Sequence, residues 1–113
     1  MILSELIDRL DLKVYSGKNE LTRTVSGGYV SDLLSDVLAH GQKGHLWVTM
    51  QTHPNIIAVA AFKELAAIVL VNGREPAPET RALAQRERIS IVGTPLTAFE
   101  FIGKVYGLGI QGA

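Results

Sequence analysis

Residues 46–71, LWVTMQTHPNIIAVAAFKELAAIVLV, show the clearest secondary-structure pattern in the chain. Residues 46–50 and 67–71 are short apolar stretches rich in β-branched side chains, which is typical of strands. Between them, a polar turn at 51–55 leads into a helical stretch from about 56 to 65. A strand, a helix and a second strand in this order predict a right-handed crossover between two parallel strands.

The same alternation continues towards the C-terminus. Pro78 begins a further helix, residues 89–92 form a strand, and a capping box at 97–100 begins the last helix. A strand that is apolar on both faces, such as 67–71, belongs inside a parallel sheet. We therefore predict an α/β fold, three layers in the order α/β/α with a mainly parallel sheet, forming one domain over residues 1–113.

The N-terminal part gives weaker signals. We predict a first helix capped by Ser4, a strand at 13–16, and a second extended piece at 20–25 that the glycine pair 27–28 ends. A further helix capped by Ser31 would bury Leu33, Leu34, Val37 and Leu38 and end in a left-handed Gly41.

Composition excludes several classes of function. The 113 residues contain 11 Lys and Arg against 11 Asp and Glu, so the chain lacks the positive charge that nucleic acids and anionic membranes attract. It has no cysteine, which excludes disulfides and thiol chemistry. The longest apolar run, 56–62, is far shorter than a bilayer requires, and no targeting segment is recognisable, so we expect a cytoplasmic protein.

Two sequence features suggest binding sites but lack the structural context that such sites need. Residues 107–112 match G-x-G-x-x-G, but they follow a helix instead of a strand, and we predict a frayed C-terminus there. His45 and His53 stand at opposite ends of one strand, about 17 Å apart, so they cannot share a metal ion. The sequence predicts no metal site, no cofactor and no catalytic residue.

Asp32 and Asp36 lie four residues apart and share one helix face. They could act in acid–base chemistry or hold magnesium. The alternative, which we favour, is that Asp32 interacts with the helix dipole and Asp36 pairs with His40.

Polar side chains collect where three predicted parallel strands end. Open parallel sheets bind ligands beyond the carboxyl ends of their strands, and the first N–H groups of the following helices favour anions. The candidate ligand-binding residues are Thr49, Gln51, His53, Asn55, Asn72, Gly73, Thr94 and Thr97. The alternative is that they only cap helices and fill turns.

A series of short stretches also resembles the DRTGG domain family. They lie at 22–28, 32–35, 46–49, 51–55, 58–60, 98–100 and 108–110. Thr22 stands where the family name has an acid, while Arg23 and the glycine pair 27–28 remain. Such domains are similar to the N-terminal domain of HPr kinase/phosphorylase, which is α/β and has no kinase site. The resemblance implies a regulatory or assembly module without a phosphate-binding loop, and it carries over no binding residue.

Three hypotheses about function follow. The first is a non-enzymatic regulatory module that dimerises and binds a small anionic metabolite or nucleotide. The second is a ligand-free interaction subunit of a larger metabolic or redox enzyme. The third is a small enzyme that uses His53, against which stands the lack of a second titratable group placed beside it.

The homodimer is expected from one helix. Residues 56–62 are apolar all round, so a helix there needs cover on more than one side. A second copy of the chain is the commonest solution. The competing explanation is that residues 16–29 fold over the helix within one chain.

Overall fold

The computed structural model describes residues 1–112. In this part of the chain, helices and strands follow one another in the order α1 (Leu3–Leu10), β1 (Lys13–Ser16), β2 (Gly27–Val30), α2 (Leu34–His40), β3 (His45–Thr49), α3 (Asn55–Phe62), β4 (Ala67–Leu70), α4 (Pro78–Glu87), β5 (Ile91–Gly93) and α5 (Ala98–Gly107). None of these helices is long and apolar enough to cross a membrane.

The strands form one sheet in the order β1-β5-β4-β3-β2. Strands β2, β3, β4 and β5 are parallel, and β1 joins the edge antiparallel to β5. Helices α2, α3 and α4 pack on one face of the sheet, and α1 and α5 pack on the other. The predicted three-layer fold with a mainly parallel sheet is confirmed.

Side chains of β3 and β4 alternate between two hydrophobic cores. Trp47 and Ile68 point to the core beneath α3, whereas Leu46 and Val69 point to the core that contains Phe101. All of these side chains are fully buried. The strands are apolar along their whole length because helices cover both faces of the sheet.

The predicted strand at 20–25 is wrong, and so is the Ser4 cap. Residues 21–23 instead supply backbone carbonyls to the first turn of α1, where Leu3 N donates to Arg23 O at 2.9 Å and Ser4 N donates to Leu21 O at 2.8 Å. These bonds satisfy amides that have no acceptor within the helix. Helix α1 therefore begins at Leu3 with no side-chain cap.

The glycine pair 27–28 does not end a strand but begins β2. Gly28 N donates to Gln111 O at 3.1 Å, and Gly28 also forms an isolated parallel bridge with Gly112. Ile110 is buried. The C-terminus up to Gly112 is thus docked beside β2, and the prediction of a frayed end at 107–112 is wrong.

Helix α2 is shorter and more exposed than its sequence predicts. Of the four side chains that the sequence predicts to be buried, only Val37 is fully buried. Leu33 is 67% exposed and precedes the helix, and Leu38 is 41% exposed. Ser31 Oγ accepts from Leu33 N at 3.1 Å, before the helix begins. Gly41 has φ −64°, an extended conformation and not the predicted left-handed one.

Helix α3 buries Ile56, Ile57, Val59 and Ala60 and packs against α2 and α4. Its exposed face carries two alanines, Ala58 and Ala61, together with Phe62, which is 78% exposed. The second face of α3 therefore offers little apolar area beyond one aromatic ring.

Replacing Gly27 with alanine is expected to destabilise the protein by about 1–3 kcal/mol. A Cβ atom there would lie 2.9 Å from Gln111 O and 3.0 Å from His45 Nε2, so the docked C-terminus has to move. The matched control is Gly28→Ala, whose Cβ meets only Leu46 O at an ordinary 3.7 Å. Urea unfolding measures both variants, and equal losses would contradict a close approach specific to Gly27.

Burial lowers the pKa of His45, which is 3% exposed and accepts from Gln42 N at 3.3 Å through Nδ1. The unfolded chain then binds a proton that the folded ring does not. The free energy of unfolding should therefore fall as the pH drops below about 6.5, and this contribution should be constant above it. The variant His45→Gln should lose this part of the slope, as measured by urea unfolding between about pH 7 and pH 5. An unchanged slope would assign it to other groups.

Candidate functional site

The loops after the four parallel strands meet at the carboxyl edge of the sheet. They occupy residues 31–33, 50–54, 71–77 and 94–97, and each leads into the next helix. The N-terminal ends of α3, α4 and α5 therefore lie at the same edge. Their first N–H groups lack intrahelical acceptors and direct partial positive charge to this edge, where the carboxylates of Asp32, Glu75, Glu79 and Glu100 also lie.

Backbone hydrogen bonds join two of these loops. Asn72 N donates to Leu96 O at 2.8 Å, and Gly73 N donates to Thr94 O at 2.9 Å. Asn72 has φ +59°, and its side-chain Nδ2 contacts Met50 Sδ at 2.9 Å. The predicted residues Asn72, Gly73 and Thr94 are thus brought together, with Asn72 reaching the end of β3.

Asp32 organises the end of β3. Its Oδ1 accepts from Thr49 Oγ1 and from Met50 N, both at 2.8 Å, and its backbone oxygen accepts from Gln51 Nε2 at 2.9 Å. The sequence predicts an interaction of Asp32 with the helix dipole, whereas the structure places its carboxylate on the end of β3. Asp32 is far from Thr49 and Met50 in the sequence, so no local sequence pattern indicates that these residues are in contact.

Asp36 belongs to a separate cluster. Its Oδ1 accepts from the Tyr29 hydroxyl at 2.8 Å and contacts His40 Nδ1 at 3.0 Å, which confirms the predicted pairing with His40. Hydrogen bonds from the Ser31 and Tyr29 hydroxyls lower the pKa of the Asp36 carboxyl. Within residues 1–112, no three His, Asp or Glu side chains are placed to hold a metal ion.

The remaining predicted residues lie at helix beginnings. Asn55 is the first residue of α3, and the exposed His53 precedes it, its backbone oxygen accepting from Ile56 N at 3.2 Å. Thr97 Oγ1 accepts from Glu100 N at 3.4 Å, so this predicted cap of α5 is confirmed. Arg74, also exposed, follows the Asn72 turn and brings a positive charge to the same edge.

The edge is open rather than deeply concave. Between the ends of β2 and β3 and the beginning of α5, a cavity of about 70 Å³ is lined by Asp32, Thr49, Met50 and Ala98 among others. That volume suits a few water molecules, whereas pockets for drug-sized ligands span about 300–1,000 Å³. A ligand at this edge would lie across the loops.

A larger cavity of about 500 Å³ lies at the opposite, amino edge of the sheet. Its charged lining residues are Arg23, Lys43, Glu64 and Glu87. Lys43 Nζ pairs with Glu64 Oε2 at 3.3 Å, and Arg23 Nη2 donates to Arg88 O at 2.8 Å. Both cations are therefore engaged within the chain.

Arg23, the arginine of the DRTGG-like stretch, thus has a structural contact. Its guanidinium binds the carbonyl of Arg88, the residue that ends α4 in a left-handed conformation with φ +58°. A cation at a helix C-terminus also interacts favourably with the helix dipole. The resemblance was recognised from sequence, but this contact joins residues that are 65 positions apart.

The fold is similar to a solved structure of a regulatory protein region. That structure contains the CBS and DRTGG domains of the regulatory region of Clostridium perfringens pyrophosphatase in complex with its activator, diadenosine tetraphosphate. The match has a TM-score of 0.72 and 15% sequence identity, and it covers 90% of this chain and 44% of that chain. No family model and no curated protein matches the sequence.

This likeness confirms the DRTGG-like α/β fold that the residues predicted. The protein spans less than half the length of the pyrophosphatase region that it resembles. At this level of identity the match concerns the fold and not individual binding residues.

Asp32→Ala is expected to lower the free energy of unfolding by about 1 kcal/mol, because it removes the acceptor shared by Thr49 and Met50. Asp32→Asn keeps an oxygen at that position and should remain within about 0.5 kcal/mol of the parent. Chemical denaturation compares the two variants. Equal losses would mean that the charge of Asp32, and not its acceptor geometry, stabilises this edge.

Proposed function

We propose that the protein is a non-enzymatic regulatory and assembly module that forms homodimers and binds a small anionic metabolite or nucleotide at the carboxyl edge of its sheet. The observation that carries this proposal is the fold likeness to a regulatory region bound to a nucleotide activator. A fold by itself does not define a function, so the proposal also needs a suitable edge.

The chemistry of the carboxyl edge supports an anionic ligand. The N-terminal ends of α3, α4 and α5 direct partial positive charge to the edge, and such ends are common sites for phosphate. The exposed side chains of His53, Asn55 and Arg74 add donors to these backbone amides. Together with Gln51, Asn72, Gly73 and Thr97, they form the proposed ligand surface. Thr49 and Thr94 are buried beneath it, where their hydroxyls bind Asp32 Oδ1 and Leu96 N.

The arrangement of titratable groups favours binding over catalysis. The Asp32 carboxylate already accepts two hydrogen bonds from the end of β3. The exposed His53 has no side-chain hydrogen bond within residues 1–112 that would orient its ring. General acid–base catalysis needs a base held in place by a partner, so these groups suit recognition.

The alternative is a ligand-free interaction subunit of a larger metabolic or redox enzyme. Exposed apolar side chains favour it, since Leu33, Phe62 and Phe99 are 67%, 78% and 87% exposed. They lie on three different elements, the loop before α2, helix α3 and helix α5, so each would contact a partner separately. The two candidates differ in whether a small molecule stabilises the native state.

Thermal unfolding in the presence of AMP, ATP, diadenosine tetraphosphate, pyrophosphate and inorganic phosphate tests the proposal. A ligand at about 100 times its Kd stabilises the native state by about 2.7 kcal/mol, which raises the Tm by several degrees. Arg74→Ala should weaken the binding about fivefold, since it removes one exposed charge.

Arg86→Ala is the matched control, because Arg86 is an exposed arginine in the last turn of α4, at the opposite edge of the sheet. It should leave the ligand-induced shift unchanged. If none of the five compounds changes the Tm, the ligand-free alternative replaces the proposal. If both arginine variants weaken binding equally, the ligand does not lie at the carboxyl edge.

A further inference from the structure

Helix α5 exposes an aromatic stripe. Phe99 is 87% exposed and Tyr106 is 57% exposed, and they lie seven residues apart, so two helical turns place them on the same side. Gly103 lies between them on the outer surface, with nothing within 4 Å of the position of a Cβ atom. Two large aromatic rings and a small residue make this a surface that another helix can approach closely.

An apolar groove runs beside the stripe. It has a volume of about 360 Å³ and lies between α5 and the edge strand β2, with a lining that includes Tyr29, Val30, Val48, Ile102 and Tyr106. Val30 is 51% exposed. Tyr106 belongs to both the aromatic stripe and the groove, so the two form one continuous apolar surface. The rings of the stripe project from this surface, and the groove is a depression in it.

We propose that this surface is the homodimer interface, with α5 of one copy packed antiparallel against α5 of a second copy about a two-fold axis near Gly103. In this arrangement Phe99 of each copy faces Tyr106 of the other and enters the groove beside it. The inference rests on the homodimer of the proposed function and names the surface that forms it.

A two-fold interface has to be self-complementary, and α5 meets this requirement. Glu100 lies near the beginning of the helix and Lys104 near its end, both exposed and on the side away from the groove. Antiparallel packing centred near Gly103 brings Glu100 of one copy next to Lys104 of the other. Within residues 1–112 these two side chains form no ion pair with each other.

Charge and area also favour a second copy as the occupant. The chain has a formal net charge of zero, so two copies do not repel each other. Aromatic side chains bury about 150–250 Å² each when fully covered, and Phe99 and Tyr106 are 87% and 57% exposed, so the four rings of two copies supply about 600 Å². That is roughly half of the smallest specific interface, and Val30, Ile102 and the groove lining add to it.

The exposed face of α3 is the competing surface. It carries Phe62 but otherwise small alanines, and Ala60 and Ala61 help to line the cavity of about 500 Å³ at the amino edge. That cavity also has charged lining residues, Arg23, Lys43, Glu64 and Glu87, so it suits an aromatic ring less well than the apolar groove beside α5 does.

Sedimentation velocity from micromolar to several hundred micromolar protein tests the interface. We expect a species of twice the 12.2 kDa chain mass. Phe99→Ser should weaken the dimer at least tenfold, as removal of a central aromatic anchor does. Phe62→Ser is the matched control, an equally exposed phenylalanine on α3, and should leave the dimer unchanged.

Charge exchange tests the antiparallel arrangement. Glu100→Lys and Lys104→Glu should each weaken the dimer several-fold, because each places like charges together. The double variant should recover most of the affinity, although it retains the same loss of an acid in the first turn of α5. Thermal unfolding of each variant confirms that the monomer fold remains.

A dimer that survives Phe99→Ser, or that Phe62→Ser disrupts, overturns this surface while leaving the homodimer intact. If the single charge variants weaken the dimer and the double variant does not recover the affinity, the antiparallel packing is wrong. A monomer at every concentration overturns both the surface and the homodimer, and ligand binding is still decided independently by thermal unfolding.

Discussion

The burial of β3 and β4 on both faces is the constraint from which the architecture follows. Their side chains alternate between two cores, and every residue from His45 to Thr49 is buried. A sheet with such central strands is stable only when helices cover both faces. The three consecutive crossovers place α2, α3 and α4 on one face, so the other face has to be covered by the N-terminal helix α1 and the C-terminal helix α5.

The N-terminal and C-terminal segments complete this second layer through contacts with the segment before β2 and with the first residues of β2. Residues 21–23 supply the acceptors for the first amides of α1, the Arg23 guanidinium binds the carbonyl of Arg88 at the end of α4, and Gly27 leaves room for the docked C-terminus. The stretch that resembles the DRTGG signature is therefore a structural junction between both faces of the sheet. Its residues act by joining segments that are distant in sequence.

The carboxyl edge and the apolar groove are neighbouring surfaces of the proposed regulatory module, and Val30 and Val48 line cavities in both. The carboxyl edge presents helix N-termini and polar loops, whereas the apolar groove lies along β2 and α5. The beginning of α5 belongs to both regions, since Thr97 caps the helix at the carboxyl edge and Phe99 projects from its first turn. A ligand that binds near Thr97 would therefore act on the same helix that carries the proposed interface.

The layer architecture, the parallel crossovers between residues 46 and 93, and the helix beginnings at Pro78 and Thr97 were predictable from the sequence, because apolar periodicity and capping are local signals. The sequence placed Asn72, Gly73 and Thr94 at one edge because parallel strands end together. The place of the glycine pair 27–28 at the beginning of a strand depends on distant segments, since these residues pair with His45 and Leu46 of β3 and leave room for Gln111. Only the tertiary structure decided the partners of Asp32 and the exposed stripe on α5, because such contacts depend on which segments the completed sheet brings together.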